Sequence, residues 1–239
     1  MYLPRKFRED RIEALHAAML EIGAAVVIGQ GPDGLIASHV PIELDPEPAP
    51  WGTLRCHFVR ANPHAQSVAD GRELLLIFQG PQGYVSPNWY PSKRETGKVV
   101  PTWNYVAIHA YGIATPFEDV ASLRAHLGAL TDRFEAGSAA PWKIDDAPAD
   151  FIDGLCRAII GFEIRLTRIE GKWKLSQNRP RHDRLGVIDG LRARGGDANL
   201  KMAELVDAAS NGDGDGDGED AATWPAEDIA QLKALIKTE

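Results

Sequence analysis

The chain predicts a mainly antiparallel β fold with flanking helices. Three observations carry that expectation. Short β-rich apolar runs are separated by Gly/Pro turns, no regular strand–helix–strand alternation occurs, and helical periodicity is confined to a few separate segments. A parallel α/β architecture would need a crossover helix after each strand, and that regular alternation does not occur here.

In order, Ile12, Leu15, Met19 and Ile22 fall at helical spacing within Glu9 to Ile22, and Gly23 supplies a C-terminal stop. Ala24-Ala25-Val26-Val27-Ile28 and Leu35 to Leu44 read as strands joined by the turn Gly31-Pro32-Asp33-Gly34. Thr53 to Arg60 is a third strand, Glu73 to Phe78 a fourth, and Val99 to Thr115 a long fifth. Between the third and fourth, Asn62-Pro63 pairs a good N-cap with the residue favoured at the first helical position, which predicts a short helix from Pro63 to about Val68. Glu118 to Phe134 places Val120, Leu123, Leu127, Leu130 and Phe134 on one helical face, and a shorter helix is predicted around Ala149 to Ala158. In Ile160 to Ile169, Phe162, Ile164 and Leu166 alternate with Glu163, Arg165 and Thr167, the pattern of a strand with one wet face. Asp183 to Arg194 and Leu200 to Ala208 are helical. The expected organisation is one domain over 1–206, an acidic Gly/Asp linker over 207–223 and an amphipathic helix over 224–239.

Charge is unevenly spread. The net charge is -8, and Asp207 to Glu239 holds nine acidic residues and two lysines, so the body before it is nearly neutral. Neither part has the clustered basic footprint of a stand-alone nucleic-acid binder. No run approaches the length of a membrane span and no apolar h-region follows the start, so a cytoplasmic protein is expected. Cys56 and Cys156 lie in apolar segments without CxxC spacing, which predicts buried free thiols. Asp213, Asp215, Asp217 and Gly218 match the first half of a calcium loop, but its twelfth position is Trp224 instead of Glu, so no metal is expected.

Three aromatic-polar clusters interrupt segments that otherwise look buried: Tyr84 to Tyr90, Val100 to Tyr105 and Lys172 to Asn178. A buried polar group left unpaired costs about 1–3 kcal/mol, so the clusters imply either a dense internal network or a flat polar ligand such as a flavin. Tyr90, Trp89 and Trp103 are candidates to stack on a ring, against the alternative of core or interface aromatics. Lys174, Ser176 and Gln177 would reach a phosphate or a heterocycle edge, or tie down the chain as it leaves the last strand. Arg60 and His64 flank the predicted helix start, where an anion would fit, but the local sequence favours an ordinary strand-to-helix corner about two to one. No Ser/His/Asp, Cys/His or paired-carboxylate arrangement can be assembled, so any chemistry would come from a cofactor.

With these residues in view, the chain resembles the PaiB-like family of FMN-binding negative transcriptional regulators. The resemblance rests on Met1-Tyr2-Leu3-Pro4 with Phe7, Ser38-His39-Val40-Pro41, and His57 with Arg60-Ala61-Asn62-Pro63. It continues through Tyr84-Val85-Ser86-Pro87 with Trp89-Tyr90, Val100 to Tyr105, Lys174 to Asn178 and Asp183 to Ile188. It covers about Met1 to Leu205 and implies a split β-barrel of the pyridoxamine-phosphate-oxidase-like kind, a homodimer with FMN at the subunit interface. It further implies a phosphate group held by His39, Arg60, Asn62 and His64, with Ser86, Tyr90, Thr102, Trp103, Asn104, Lys174 and Gln177 approaching the ring.

Two function classes follow from the resemblance. One is a flavin-binding repressor of transcription, for which DNA is the partner; a near-neutral body and the absence of a clear helix-turn-helix argue against direct DNA binding. The other is an FMN-dependent oxidoreductase acting on a small planar substrate. A flavin-free relative whose clusters only stabilise a dimer is the third reading.

Overall fold

The computed structural model describes residues 1–211 together with Ala234 and Ile236. The expected acidic linker from residue 212 on, the calcium-like tract and most of the terminal helix lie outside the described residues.

Among the described residues, eight strands form one sheet. They are β1 (Arg8–Glu9), β2 (Ala24–Gly31), β3 (Gly34–Pro41), β4 (Glu43–Asp45), β5 (Thr53–Val59), β6 (Glu73–Val85), β7 (Thr102–Phe117) and β8 (Ile159–Lys174). Their order is β3-β2-β6-β7-β8-β5-β4, with β1 added against β8. The helices are α1 (Ile12–Ile22), α2 (Pro63–Val68), α3 (Ser92–Thr96), α4 (Val120–Glu135), α5 (Ala149–Arg157), α6 (Arg181–Arg194) and α7 (Asp197–Asn211). Every strand pairing with a defined register is antiparallel, as expected.

The chain divides into two compact units, each assembled from separated stretches. The first unit takes Met1–Ile22, Gln79–Ile108 and the described residues from Glu170 on; the second takes Gly23–Phe78 and His109–Ile169. In the second unit the hairpin forms as its turn chemistry predicts, with Ala24 paired to Pro41 and Gly31 to Gly34. Strand alternation buries Leu54, Cys56 and Phe58 of β5 against Phe162 and Ile164 of β8. Each such side chain contributes about 1.5–3 kcal/mol by leaving water. The helix α4 starts on Asp119, whose carboxylate accepts from Ser122 N at 2.8 Å, and its Leu123 packs with Ile152 and Cys156 of α5. Both cysteines are buried free thiols, and burial pushes the Cys56 thiol up to about 12.

In the first unit, Leu15 and Met19 of α1, Val106 and Ile108 of β7, and Val187, Leu191, Met202 and Leu205 of α6 and α7 are buried. The strand β6 runs on to Val85, seven residues beyond the predicted end at Phe78. Gly80, Pro81 and Gly83 look like strand breakers, yet Gly80 fits because a Cβ there would stand 3.0 Å from Val106 Cβ. The helix α7 continues to Asn211, so Asp207 to Asn211 are helical where the linker was expected to begin.

Candidate functional site

The sequence-predicted residues fall into two groups, one in each unit. In the first unit the core of the group is Lys174 at the end of β8. Its ammonium donates to Thr102 Oγ1 and, at 2.7 Å, to the Trp103 carbonyl on β7. Burial, assisted by the charges of Lys172 and Arg179, pulls its pKa below the usual lysine value. Two of its three N–H groups are thereby used.

Beside these residues in the chain, Asn104 is fully buried, and its Nδ2 donates to Ser176 Oγ at 2.8 Å. Ser176 is held at φ 67°, a left-handed conformation that costs a non-glycine residue about 1–2 kcal/mol. The strain is maintained where the serine hydroxyl meets the asparagine amide. Asn104 Oδ1 has no hydrogen-bond partner among the described residues, and neither does the buried Trp173 Nε1. The cluster therefore retains an unused acceptor and one ammonium proton, and the neighbouring Trp173 retains an unused indole donor.

The other members of this group are placed differently. Trp103 is 47% exposed and its indole donates to Gln82 Oε1 at 3.0 Å. Tyr90 is buried with Arg179 stacked 4.5 Å from its ring centroid; burial raises its pKa and Arg179 opposes that rise. Ser86 spends its hydroxyl oxygen accepting from Asn88 N, capping the turn Pro87–Trp89. Gln177 turns back on its own loop, accepting from Leu175 N and donating to the Trp173 carbonyl, both at 2.7 Å. Trp89 packs on α6, where a Cβ at Gly190 would fall 2.2 Å from its ring.

In the second unit, the predicted cap forms: Asn62 Oδ1 accepts from His64 N at 3.0 Å, and α2 spans Pro63–Val68. Asn62 Nδ2 and His64 Nδ1 both reach Ser38 Oγ, at 3.2 and 2.9 Å. Buried His64 leaves Nε2 without a hydrogen-bond partner, and burial lowers its pKa. A Cβ on Gly29 would stand 3.1 Å from that nitrogen, so the glycine makes room for the ring. His39 is exposed, and strand alternation points it to the face opposite Ser38. Arg60 is drawn away to Glu118, at 2.5 Å, and to the Arg157 carbonyl, at 2.9 Å. The structure thus joins Asn62 and His64, leaves His39 and Arg60 out of their cluster, and adds Ser38, which the sequence showed only as part of a motif.

Sequence reasoning also passed over a hydrogen-bonded chain of Glu43, His126 and His57. One signal was available: His126 sits between Leu123 and Leu130 on the buried stripe of α4. Among the described residues no group of three or more His, Cys, Asp or Glu is arranged to hold a metal ion. No helix among them is long and apolar enough to cross a membrane.

Comparison with known proteins bears on the family and the fold. The family model described as "Putative FMN-binding domain" matches residues 1–168. The protease synthase and sporulation protein PAI 2 of Bacillus subtilis is 31% identical over 209 residues, covering 87% of this chain and 97% of its own. An uncharacterized protein of Aspergillus fumigatus is 33% identical over 213 residues, covering 72% of this chain and 82% of its own. Among solved structures, an FAD and heme binding protein from Mycobacterium smegmatis superposes with a TM-score of 0.52 at 17% identity, over 70% of this chain and 73% of that one. A flavocytochrome from Azotobacter vinelandii gives 0.53 at 14% identity, over 72% of each chain. At such identities these two likenesses concern the fold, which is the expected antiparallel, split-barrel kind. The match from residue 1 to residue 168 spans well over half of the 239 residues, and the chain belongs to the family described as "Putative FMN-binding domain".

Proposed function

We propose that this protein binds FMN and that Lys174, Thr102 and Asn104 hold the isoalloxazine. The observation that carries the reading is the fully buried Asn104, whose Oδ1 has no hydrogen-bond partner among the described residues although the same amide is fixed to Ser176. An orphaned buried acceptor costs about 1–3 kcal/mol, which a ligand donor would recover. A flavin ring supplies such a donor at N3–H between two carbonyl acceptors, and the spare N–H of Lys174 has the sign required by the latter. The groups present therefore fit a flavin. When bound, it would supply hydride or electron transfer, and the chain would supply orientation and a fixed positive charge.

Ser38, Asn62 and His64 form the second polar group in this proposal, and the unpartnered His64 Nε2 is the atom it offers to a ligand. Arg60 and His39 hold subordinate places, because the first is engaged with Glu118 and the second faces away from Ser38. The proposed assembly is a cytoplasmic homodimer.

The role we assign to flavin occupancy is negative control of transcription. Support comes from the PaiB-like motifs and from PAI 2, whose name links it to protease synthesis and sporulation and whose length this chain matches almost entirely. Oxidoreductase activity on a small planar substrate is the second reading, favoured by the partly desolvated Lys174 ammonium, a group suited to stabilising negative charge on a reduced ring.

The test is a visible spectrum of the purified protein followed by titration with FMN, repeated for Asn104→Leu and Lys174→Met. Flavin bound by the native chain and lost from both variants is expected. No bound flavin and no response to FMN overturns the proposal. A gel shift against the chain's own upstream DNA at stated salt then separates the two roles: saturable, sequence-specific retardation favours repression, and salt-erased binding favours the enzyme.

A further inference from the structure

The flavin reading makes no use of the second unit's histidine chain. Glu43 on β4 accepts from His126 Nδ1 at 2.9 Å, and His126 Nε2 lies 3.1 Å from His57 Nδ1 on β5. His126 projects from the buried face of α4 and is 3% exposed. The edge of its ring meets those of His57 and Phe117, with centroids 5.3 and 6.1 Å away. A cleft of about 340 Å³ opens beside it, lined by Glu43, Arg55, Phe117, Ser122, His126 and Glu163.

Proton counting on this chain has few solutions. The carboxylate of Glu43 is served by a proton on His126 Nδ1. The 3.1 Å gap between the rings holds one proton, carried by either nitrogen. With one extra proton on the pair, one ring is an imidazolium donating to a neutral neighbour, and every contact survives. With two, two N–H groups face each other across the gap and the contact must open. We propose that Glu43, His126 and His57 form an acid-released clasp on α4, closed with at most one imidazolium and opened when both rings are imidazoliums, which loosens the α4 wall of the cleft.

The charges around the chain are largely paired among themselves. Arg55 of β5 is bonded to Glu163 of β8 at 2.7 Å and lies 3.5 and 3.6 Å from Glu43 and Asp45 of β4, so its charge is met by carboxylates. From α5, Asp153, and from the turn before it, Asp145, are both engaged by Arg124 of α4. Burial and the neighbouring His126 push the His57 pKa down to about 4, in keeping with resistance to a second proton. Arg133 donating to the Ile42 carbonyl and the seam of Leu123 with Ile152 and Cys156 do not titrate in this range, so release is a local opening of α4 and does not unfold the rest of the chain.

The sign follows from the direction of the shift. An opened His57 takes up its proton near its ordinary value of about 6.5, whereas the closed one resists down to about 4, so acid favours opening throughout that window and nothing further is gained below it. Hydrogen exchange of α4 amides in the full-length protein, corrected for the intrinsic pH dependence of exchange, is the test. The opening constant of α4 is expected to rise about a hundredfold from pH 6.5 to 4 while α6 shows no such rise, and His57→Gln, which keeps a neutral donor to His126, is expected to abolish the rise. Equal α4 protection at both pH values, or the full rise in His57→Gln, overturns the clasp. Should that variant not fold, ring-nitrogen NMR of the native protein decides: two imidazoliums forming while α4 remains protected overturns it as well.

Discussion

The Lys174–Thr102 and Asn104–Ser176 contacts of the first unit and the Glu43–His126–His57 chain of the second both place polar side chains where strands and helix faces normally bury hydrocarbon. They differ in what is left over. In the second unit Glu43, both ring nitrogens of His126 and His57 Nδ1 are satisfied inside the chain, so the arrangement needs nothing more at neutral pH. In the first unit Asn104 Oδ1 has no partner among the described residues, although every surrounding feature fixes its position, including a serine held in a left-handed conformation. Both clusters are polar and built around a buried residue, Asn104 or His126, so neither burial nor polarity marks a binding site. The distinguishing property is unspent hydrogen-bonding capacity on a rigidly held atom.

The comparison breaks most severely at Asn104. Asn104→Leu removes the donor to Ser176 and leaves a buried hydroxyl unpaired, for an expected loss of about 2–3 kcal/mol in urea unfolding. If the orphaned oxygen serves a flavin, the same variant loses FMN even at temperatures where it remains folded. Retained FMN affinity in a folded Asn104→Leu protein would move the site elsewhere.

Next in size is the acid response of the closed cluster. His57 is neutral in the folded chain down to about 4 and charges near 6.5 when unfolded, so the unfolded state binds more protons between those values. Stability is then complete above about 6.5 and declines as pH falls toward 4, by roughly 2 kcal/mol once partial solvent screening is allowed for. Urea midpoints at pH 7, 5.5 and 4 for the native chain and His57→Gln isolate this contribution from the carboxylates, which titrate in both.

These contrasts show why some features were readable in the sequence and others were not. The α2 start and the β2–β3 hairpin are local: Asn62-Pro63 encodes a cap, and Gly31-Pro32-Asp33-Gly34 encodes a turn. The extension of β6 is not local, since Gly80 and Gly83 read as breakers until Val106, Leu191 and Met202 are seen occupying the space a side chain would need. The polar clusters of β7 and β8 were legible as anomalies, but the pairing of Asn104 with Ser176 depends on two distant strands meeting and on a backbone conformation that serine rarely adopts. The histidine chain joins α4 to the paired strands β4 and β5, with His126 lying 69 residues from His57 and 83 from Glu43, and only His126 on an apolar stripe hinted at it.

A smaller effect sharpens the reading of the second unit's other cluster. Asn62→Ala removes the acceptor for His64 N and is expected to cost about 1 kcal/mol, the usual worth of an N-cap. Because Asn62 also donates to Ser38, the variant frees the serine to turn, and weaker FMN binding should accompany the loss if this cluster contacts the ligand. Asn62→Asp keeps the cap while removing that donation. Weaker FMN binding in both variants, with stability lost only in Asn62→Ala, separates ligand contact from scaffold.

The smallest expected effect concerns Arg60, one of the four residues that the resemblance placed at the phosphate. Its guanidinium is partly exposed and divided between Glu118 and the Arg157 carbonyl, while its backbone N–H bonds to the Ala158 carbonyl. An exposed ion pair of this kind contributes about 0–1 kcal/mol, and alanine preserves the backbone bond, so Arg60→Ala should shift stability by less than about 1 kcal/mol. Its charge is already met by Glu118, so a ligand phosphate would have to compete with a carboxylate 2.5 Å away. FMN affinity is therefore expected to change by less than about twofold in Arg60→Ala. Glu118→Gln provides the converse, releasing the guanidinium without deleting it. If Arg60 is a latent phosphate ligand held off by Glu118, Glu118→Gln tightens FMN binding; if Arg60 only fastens β5 to the end of α5, neither change moves the affinity, and the unspent atoms of Asn104 and Lys174 remain the determinants.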